Sequence, residues 1–329
     1  MTPEERLLLL ETVQKFFAAE PADFTAAWPQ TAALGLPDLL VGEDAGGFGG
    51  GWSGLYAVQQ VAGRFASALP IGEAAAANWF CQRANLAPGI GFGSVAGTMT
   101  GSISEGRFTG RFARVPGAAR AAWIVGLDEA GGMVRLDTAG GTVTPFGNIA
   151  GEDRGSWLFE DAPCETGPCN LDPALLFALI RLGNIAGALE AVLLLTSEHA
   201  RTRVQFGKAI AQFQTTQQQL ALFAGEVGAA GCAGEAACAS ADRLGADGAG
   251  YAIAAAKLRA NLAIESATAI AHQLHGAIGF TQEHRLHRYT KRLWAWRTEG
   301  GNDRYWASRL GAAISGRGAA RLWPDIVDA

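Results

Sequence analysis

Apolar positions recur at helical spacing towards both ends of the chain and alternate with polar ones in the middle. Between Glu4 and Ala19, residues Leu8, Leu9, Val13, Phe16 and Phe17 form one apolar stripe, so the spacing predicts an amphipathic helix. A glycine-rich stretch, Gly42 to Gly51, interrupts the pattern, and helical spacing resumes from Leu55 to Leu69. From residue 89 the texture changes. Short β-rich runs, Phe108–Phe112, Trp123–Val125, Met133–Leu136, Thr142–Thr144 and Trp157–Phe159, are separated by turn pairs such as Pro116-Gly117 and Gly140-Gly141. Such runs suggest a small antiparallel barrel or sandwich. Beyond residue 170 long helices return, with Ile185, Leu189, Val192 and Leu193 on one stripe and Glu190 and Glu198 off it. Residues 229–244 are rich in Ala and Gly and read as a closely packed helix, ending in a loop near Gly245–Gly248. The fold class expected is therefore α+β and multidomain: an N-terminal helical domain (1–88), a central β-barrel domain (89–170) and a C-terminal helical bundle (171–329).

Composition narrows the function. Hydrophobic residues make up 49% of the 329, and charged residues 17%, which fits a globular chain that buries a large core. A net charge of −5 argues against nucleic-acid binding, which needs a basic face. Charges and glycines break every apolar stretch of membrane-spanning length, so no span is expected. The acidic start, Thr2-Pro3-Glu4-Glu5, lacks a signal-peptide pattern. The five cysteines are odd in number and spread through a large chain, which suits a reducing cytoplasm better than a disulfide framework.

Two segments carry candidate chemistry. The first is Arg201-Thr-Arg203-Val-Gln205-Phe206-Gly207-Lys208, followed by Phe213-Gln214. The Phe-Gly pair reads as a turn between two helices, with Arg203 at the end of one and Gln214 opening the next. Helix N-termini attract phosphate, and an arginine beside one can grip it with two parallel bonds. The second is Gln273-Leu-His275-Gly276-Ala277-Ile-Gly279-Phe280, where glycines permit a left-handed or closely approached backbone at a helix end. Glu283 and His287 lie one helical turn apart, but a zinc site needs further ligands and an order such as His-Glu-x-x-His, so no metal is expected.

Together, in this order and with Glu299-Gly300 downstream, these segments resemble the acyl-CoA dehydrogenases. Helix, small barrel and helical bundle is also that family's order of domains. The resemblance implies FAD as cofactor. Arg203, Phe206, Phe213, Gln214, Gln273 and Gly276 would contact the flavin at a subunit interface of a homo- or hetero-oligomer, dimer or tetramer. It implies α,β-dehydrogenation of an acyl-CoA, with electrons passed to an electron-transfer flavoprotein. Glu299 would be the base that removes the α-proton, and Gly300 would lie against the substrate; Asp303 is the rival base. Such a base works in a dry pocket, where burial raises a carboxylate from its usual ~4.3. The sequence departs from the family pattern where Ala277 replaces a second glycine, and where Thr298 and Gly301 replace an aromatic residue and a threonine. The segment that usually cradles the flavin ring, Thr-Glu-Pro-x-x-Gly-Ser-Asp, is absent. A short chain of this kind is similar to subunits of the α2β2 dehydrogenases of steroid breakdown. That leaves a second reading open: a non-catalytic or FAD-deficient partner subunit.

Overall fold

A computed structural model describes residues 2–19, 23–127, 132–169 and 171–327. It divides into two compact units. One comprises Met1–Leu55 and Ala68–Ile180, the other Tyr56–Ser67 and Arg181–Ala329.

The first unit opens with helices α1 (Pro3–Ala18) and α2 (Phe24–Ala33). Thr2 and Glu5 form a reciprocal capping box at the start of α1, which satisfies two amides that the helix itself cannot. Of the apolar stripe expected there, Val13, Phe16 and Phe17 are buried, whereas Leu8 is exposed. Helix α3 (Gly51–Arg64) begins directly on the glycine-rich stretch, and α4 (Ile71–Arg83) follows. Asn78 of α4 donates to Asp38 at 2.7 Å and so ties the segment before the glycines to the helix after them.

The strands are β1 (Gly93–Val95), β2 (Thr98–Ser104), β3 (Arg107–Pro116), β4 (Trp123–Leu127), β5 (Gly132–Asp137), β6 (Gly141–Gly147), β7 (Asp153–Pro163) and β8 (Glu165–Pro168). Each β-rich run of the sequence lies in one of them. They form two four-stranded sheets, ordered β1-β4-β5-β8 and β2-β3-β7-β6, and among the described residues no pairing joins the sheets into a closed barrel. All pairings are antiparallel except β1 with β4. Alternation along β3 and β7 turns Phe108, Phe112, Trp157 and Phe159 inward, where their rings pack at 5–6 Å as one aromatic core, Trp157 stacked on Phe159 and Phe112 edge-on to it.

The second unit is helical: the end of α3, then α5 (Pro173–Thr202) from Arg181 onward, α6 (Gln214–Gly248), α7 (Gly250–His275), α8 (Leu286–Thr298), α9 (Asp303–Arg317) and α10 (Ala319–Val327). Between α5 and α6 stands a hairpin of β9 (Val204–Gln205) and β10 (Lys208–Ala209). Helix α5 is long and apolar enough to cross a bilayer, yet 78% of its most apolar stretch is buried in the chain, as in a core helix.

Helices α3 and α5 cross backbone to backbone. A Cβ on Gly187 would lie 1.9 Å from the Gln60 carbonyl, one on Gly183 2.4 Å from that of Tyr56, and one on Gly63 2.3 Å from that of Asn184. No side chain fits in these spaces. Glu190, outside the apolar stripe as expected, accepts from Gln60 and Arg64 of α3, both at 2.6 Å. The close packing expected of the Ala/Gly-rich part of α6 is one-sided. Within it Gly234 packs on the Tyr56 ring, whereas Gly231 has nothing within 4 Å of an added Cβ; the same open space surrounds Gly225 and Gly228, which precede that stretch. The loop expected at Gly245–Gly248 is reduced to a break at Gly245 (φ 76°, ψ 158°), with helical geometry on both sides.

Candidate functional site

All the residues expected to carry chemistry lie in the second unit. Arg203 follows the last turn of α5, its amide donating to the His199 carbonyl at 2.9 Å. The next residues fold into a two-residue hairpin turn, Phe206-Gly207, with φ of 51° and 81°. Positive φ at both positions matches a turn whose twist fits a right-handed strand pair. It suits Gly207 and strains Phe206, since an aromatic residue rarely adopts it. The Phe206 ring is 93% exposed, with its edge towards Phe213 at 6.3 Å. Lys208 Nζ stands 4.4 Å from the centre of the Phe213 ring. Phe213 is the N-cap of α6 and makes no side-chain cap, so the first amides of that helix have no side-chain acceptor there.

The glycine segment closes α7. Gly276 is its C-cap (φ 63°, ψ −144°), exposed, with open space where a Cβ would stand. Gln273, one turn earlier, is exposed. Histidines cluster beside the glycine segment. His199 of α5 stacks on His275 at 4.5 Å, and His284 meets His275 edge-on at 4.7 Å. His275 Nδ1 is 2.8 Å from the Ala271 carbonyl, to which it donates; Nε2 is then an unprotonated, buried acceptor without a partner. Burial pushes the His275 imidazole down to about 4, against the pull of the Ala271 carbonyl, and the neighbouring histidines push the same way as burial. No group of these side chains is arranged to hold a metal ion among the described residues.

Glu299 lies elsewhere. It is the C-cap of α8, and Gly300 and Gly301 after it turn the chain through φ of 69° and 109° into α9. The carboxylate is paired: Arg181 of α5, 5% exposed, donates through Nε to Glu299 Oε2 at 2.6 Å. Asp303, the rival base, is held by Arg297, which also donates to Glu265 at 2.7 Å. The same loop is anchored from α7 by Lys257, fully buried, whose Nζ donates to Asn261 Oδ1 at 2.7 Å and to the carbonyls of Arg297 at 3.0 Å and Trp296 at 3.1 Å. Burial pushes the Lys257 ammonium down to about 7, while Glu299 and Asp303 pull it up and Arg181 and Arg297 push it down.

Lys257 and Gln273 share one helix, and at 1.5 Å per residue they are about 24 Å apart. The chain therefore presents two separate groups: an exposed or half-exposed rim with Arg203, Phe206, Phe213, Gln214, Gln273 and Gly276, and a half-buried, charged loop with Glu299 and Gly300. Sequence reasoning missed Arg181 and Lys257. Lys257 had a visible signal, a lone charge on a helix face otherwise built of Ile253, Ala254, Ala260 and Ile264.

Residues 177–314 match the model of the acyl-CoA dehydrogenase C-terminal domain. Over 130 residues the chain is 36% identical to acyl-CoA dehydrogenase IpdE2 of Mycobacterium tuberculosis, a match that spans 39% of either chain. Among solved structures, the fold is shared with the ChsE4–ChsE5 complex from Mycobacterium tuberculosis (TM-score 0.84, 21% identity, 96% of this chain and 98% of that one). It is shared equally with the Tcur3481–Tcur3483 steroid ACAD (TM-score 0.84, 22% identity, 95% and 98%).

Proposed function

We propose that this chain, with an acyl-CoA dehydrogenase C-terminal domain at residues 177–314 and the dehydrogenase fold over nearly its whole length, takes part in FAD-dependent α,β-dehydrogenation of an acyl-CoA thioester. The observation that carries the reading is the exposed rim. It offers an arginine, an aromatic ring held exposed on a strained turn, a helix N-terminus without a side-chain cap and, after α7, an open glycine. This set suits a dinucleotide whose pyrophosphate binds Arg203 and the first amides of α6, and whose rings lie against Phe206, Phe213 and Gln214. Gln273 and the Cβ-free Gly276 would let the cofactor approach the backbone.

The chemistry that FAD would supply when bound is acceptance of the hydride from the substrate β-carbon, with the electrons passing on to an electron-transfer flavoprotein. The chain's own part is the α-proton. The Glu299 carboxylate receives it as the C–H bond breaks and the α,β double bond forms. The backbone at Glu299-Gly300 faces the thioester oxygen, where negative charge develops. The rim lies at the end of α7, and the loop is anchored from nearer its start, an arrangement that suits a rim serving the flavin of a neighbouring subunit and a loop serving the chain's own active site. The relatives that are complexes of two differently named chains favour a heteromer, and the steroid ACAD among them favours a steroid-derived acyl group.

The Arg181–Glu299 ion pair favours a second reading. The pair holds one carboxylate oxygen against a buried guanidinium, an arrangement that also suits a purely structural role. In a non-catalytic partner subunit the pair would simply fix the loop, while the rim completes the partner's flavin site. The visible absorption spectrum of the purified chain separates the two. A flavin spectrum that bleaches with an acyl-CoA, and stops bleaching in Glu299→Gln with flavin retained, supports the base. Flavin and turnover that appear only with a second chain, and are unchanged by Glu299→Gln, support the partner subunit.

A further inference from the structure

A buried ammonium is costly, and packing alone does not ask for one at position 257, where an apolar side chain of similar length would fill the space. What an apolar side chain could not do is donate. The last carbonyls of any helix have no acceptor role within it, and a cation at that end is favoured. Lys257 supplies one from a neighbouring helix. Its Nζ meets the Trp296 and Arg297 carbonyls at the end of α8 and lies 3.5 Å from the Gly301 carbonyl beyond it. Gly301 also accepts from Trp306 Nε1 at 3.1 Å and lies 3.4 Å from Asn261 Nδ2. Glu299 and Gly300 lie between these anchored carbonyls. Their backbone is thus pinned on both sides at a single buried point.

We propose that Lys257 is the positioning residue of the Glu299 loop: its ammonium gathers the end of α8 and the Gly301 carbonyl, and so fixes where the Glu299 carboxylate and the Gly300 backbone stand. The inference deepens the reading of Glu299 as base and rests on it for its catalytic consequence. The hold on the loop does not rest on that reading. Arg181 restrains the carboxylate end of Glu299; Lys257 restrains its main chain. Without the ammonium, three carbonyls lose a charge-assisted donor and the two glycines let the loop relax.

The test uses the chain in its active oligomer, with Lys257→Met and Lys257→Ala. Amide exchange read by mass spectrometry is compared between peptides covering 298–303 and those covering the 203–214 rim. Loss of the ammonium is expected to speed exchange at 298–303 by roughly tenfold or more, about what one lost charge-assisted hydrogen bond produces, with the rim and the flavin content unchanged. Exchange of an acyl-CoA α-deuterium with solvent is expected to fall by a similar factor. In Lys257→Ala, added ethylammonium restores part of it and tetramethylammonium, which cannot donate, does not. Unchanged protection at 298–303 in both variants overturns the proposal. So does an equal rise in exchange at every peptide of both, which would make Lys257 merely a fold residue. If the unaltered protein exchanges no α-deuterium, or Glu299→Gln exchanges it normally, the base assignment fails instead, and amide exchange still decides whether Lys257 holds the loop.

Discussion

The strength of the Arg181–Glu299 pair decides how the loop must be understood, and it can be measured. The perturbation is a double-mutant cycle: Arg181→Met, Glu299→Gln and the two together. Two unit charges 4 Å apart interact by about 4 kcal/mol at an effective dielectric of 20. Glu299 keeps 20% of its side chain in solvent and Gln retains a hydrogen-bond acceptor, so only part of that appears. We expect a coupling of about 2 kcal/mol, roughly a thirtyfold change in an equilibrium constant. Urea unfolding of the four proteins gives it, provided all four show the same transition, and the cycle cancels whatever else each side chain touches. Because Arg181 is buried, the coupling should survive 0.5 M salt, whereas an exposed pair would be screened. A coupling below about 0.5 kcal/mol, or one abolished by salt, would place the pair among ordinary surface contacts and refute the argument that it restrains the carboxylate.

Three further outcomes follow from the packing and the titrating groups. Gly187→Ala should cost about 3 kcal/mol, because its methyl meets a backbone oxygen that can retreat only with its helix. Gly228→Ala, with open space around it, should gain about 0.5–1 kcal/mol; similar midpoints in urea would refute the contrast. His275 titrates near 4 when folded and near 6.5 when unfolded, so the unfolded chain binds the extra proton between those values. Its contribution is present above about 6.5 and lost as the pH falls towards 4, and His275→Phe should flatten that part of the stability curve. Lys257 titrates about 7 folded and about 10.5 unfolded, so stability should rise with pH across that window, by at most on the order of 5 kcal/mol. A Lys257→Met protein that shows the same slope between pH 7 and 10 would refute the burial of a titrating amine there.

Much of this architecture was legible in the sequence because periodicity is a local property. The stripe of α5, the alternation that turns Phe108, Phe112 and Phe159 inward, and the turn at Phe206-Gly207 are each encoded within a few residues. The candidate site was legible to the same extent, since the rim is two contiguous segments with recognisable residue types. What periodicity does not carry is partnership across the chain. Arg181 and Glu299 meet from different helices far apart in sequence, and nothing near either residue announces the other. Lys257 breaks its helix's apolar face visibly, but the carbonyls that account for it belong to α8. Glycine content misleads for the same reason: the run in α6 is largely open, while the isolated Gly63, Gly183 and Gly187 are where helices touch.

That glycine crossing has a consequence for how the protein can vary. A contact made by side chains can drift, one residue shrinking as its neighbour grows, through a series of small steps. At the three glycines where α3 and α5 touch there is no side chain to trade, and even the smallest addition collides with main chain. No compensating partner exists for such a change, because a carbonyl cannot be made smaller. Mutational tolerance along α5 should therefore be all-or-nothing at Gly183 and Gly187 and graded everywhere around them. An engineer who wishes to reshape the neighbouring loop can repack its surroundings freely but must treat this crossing as fixed.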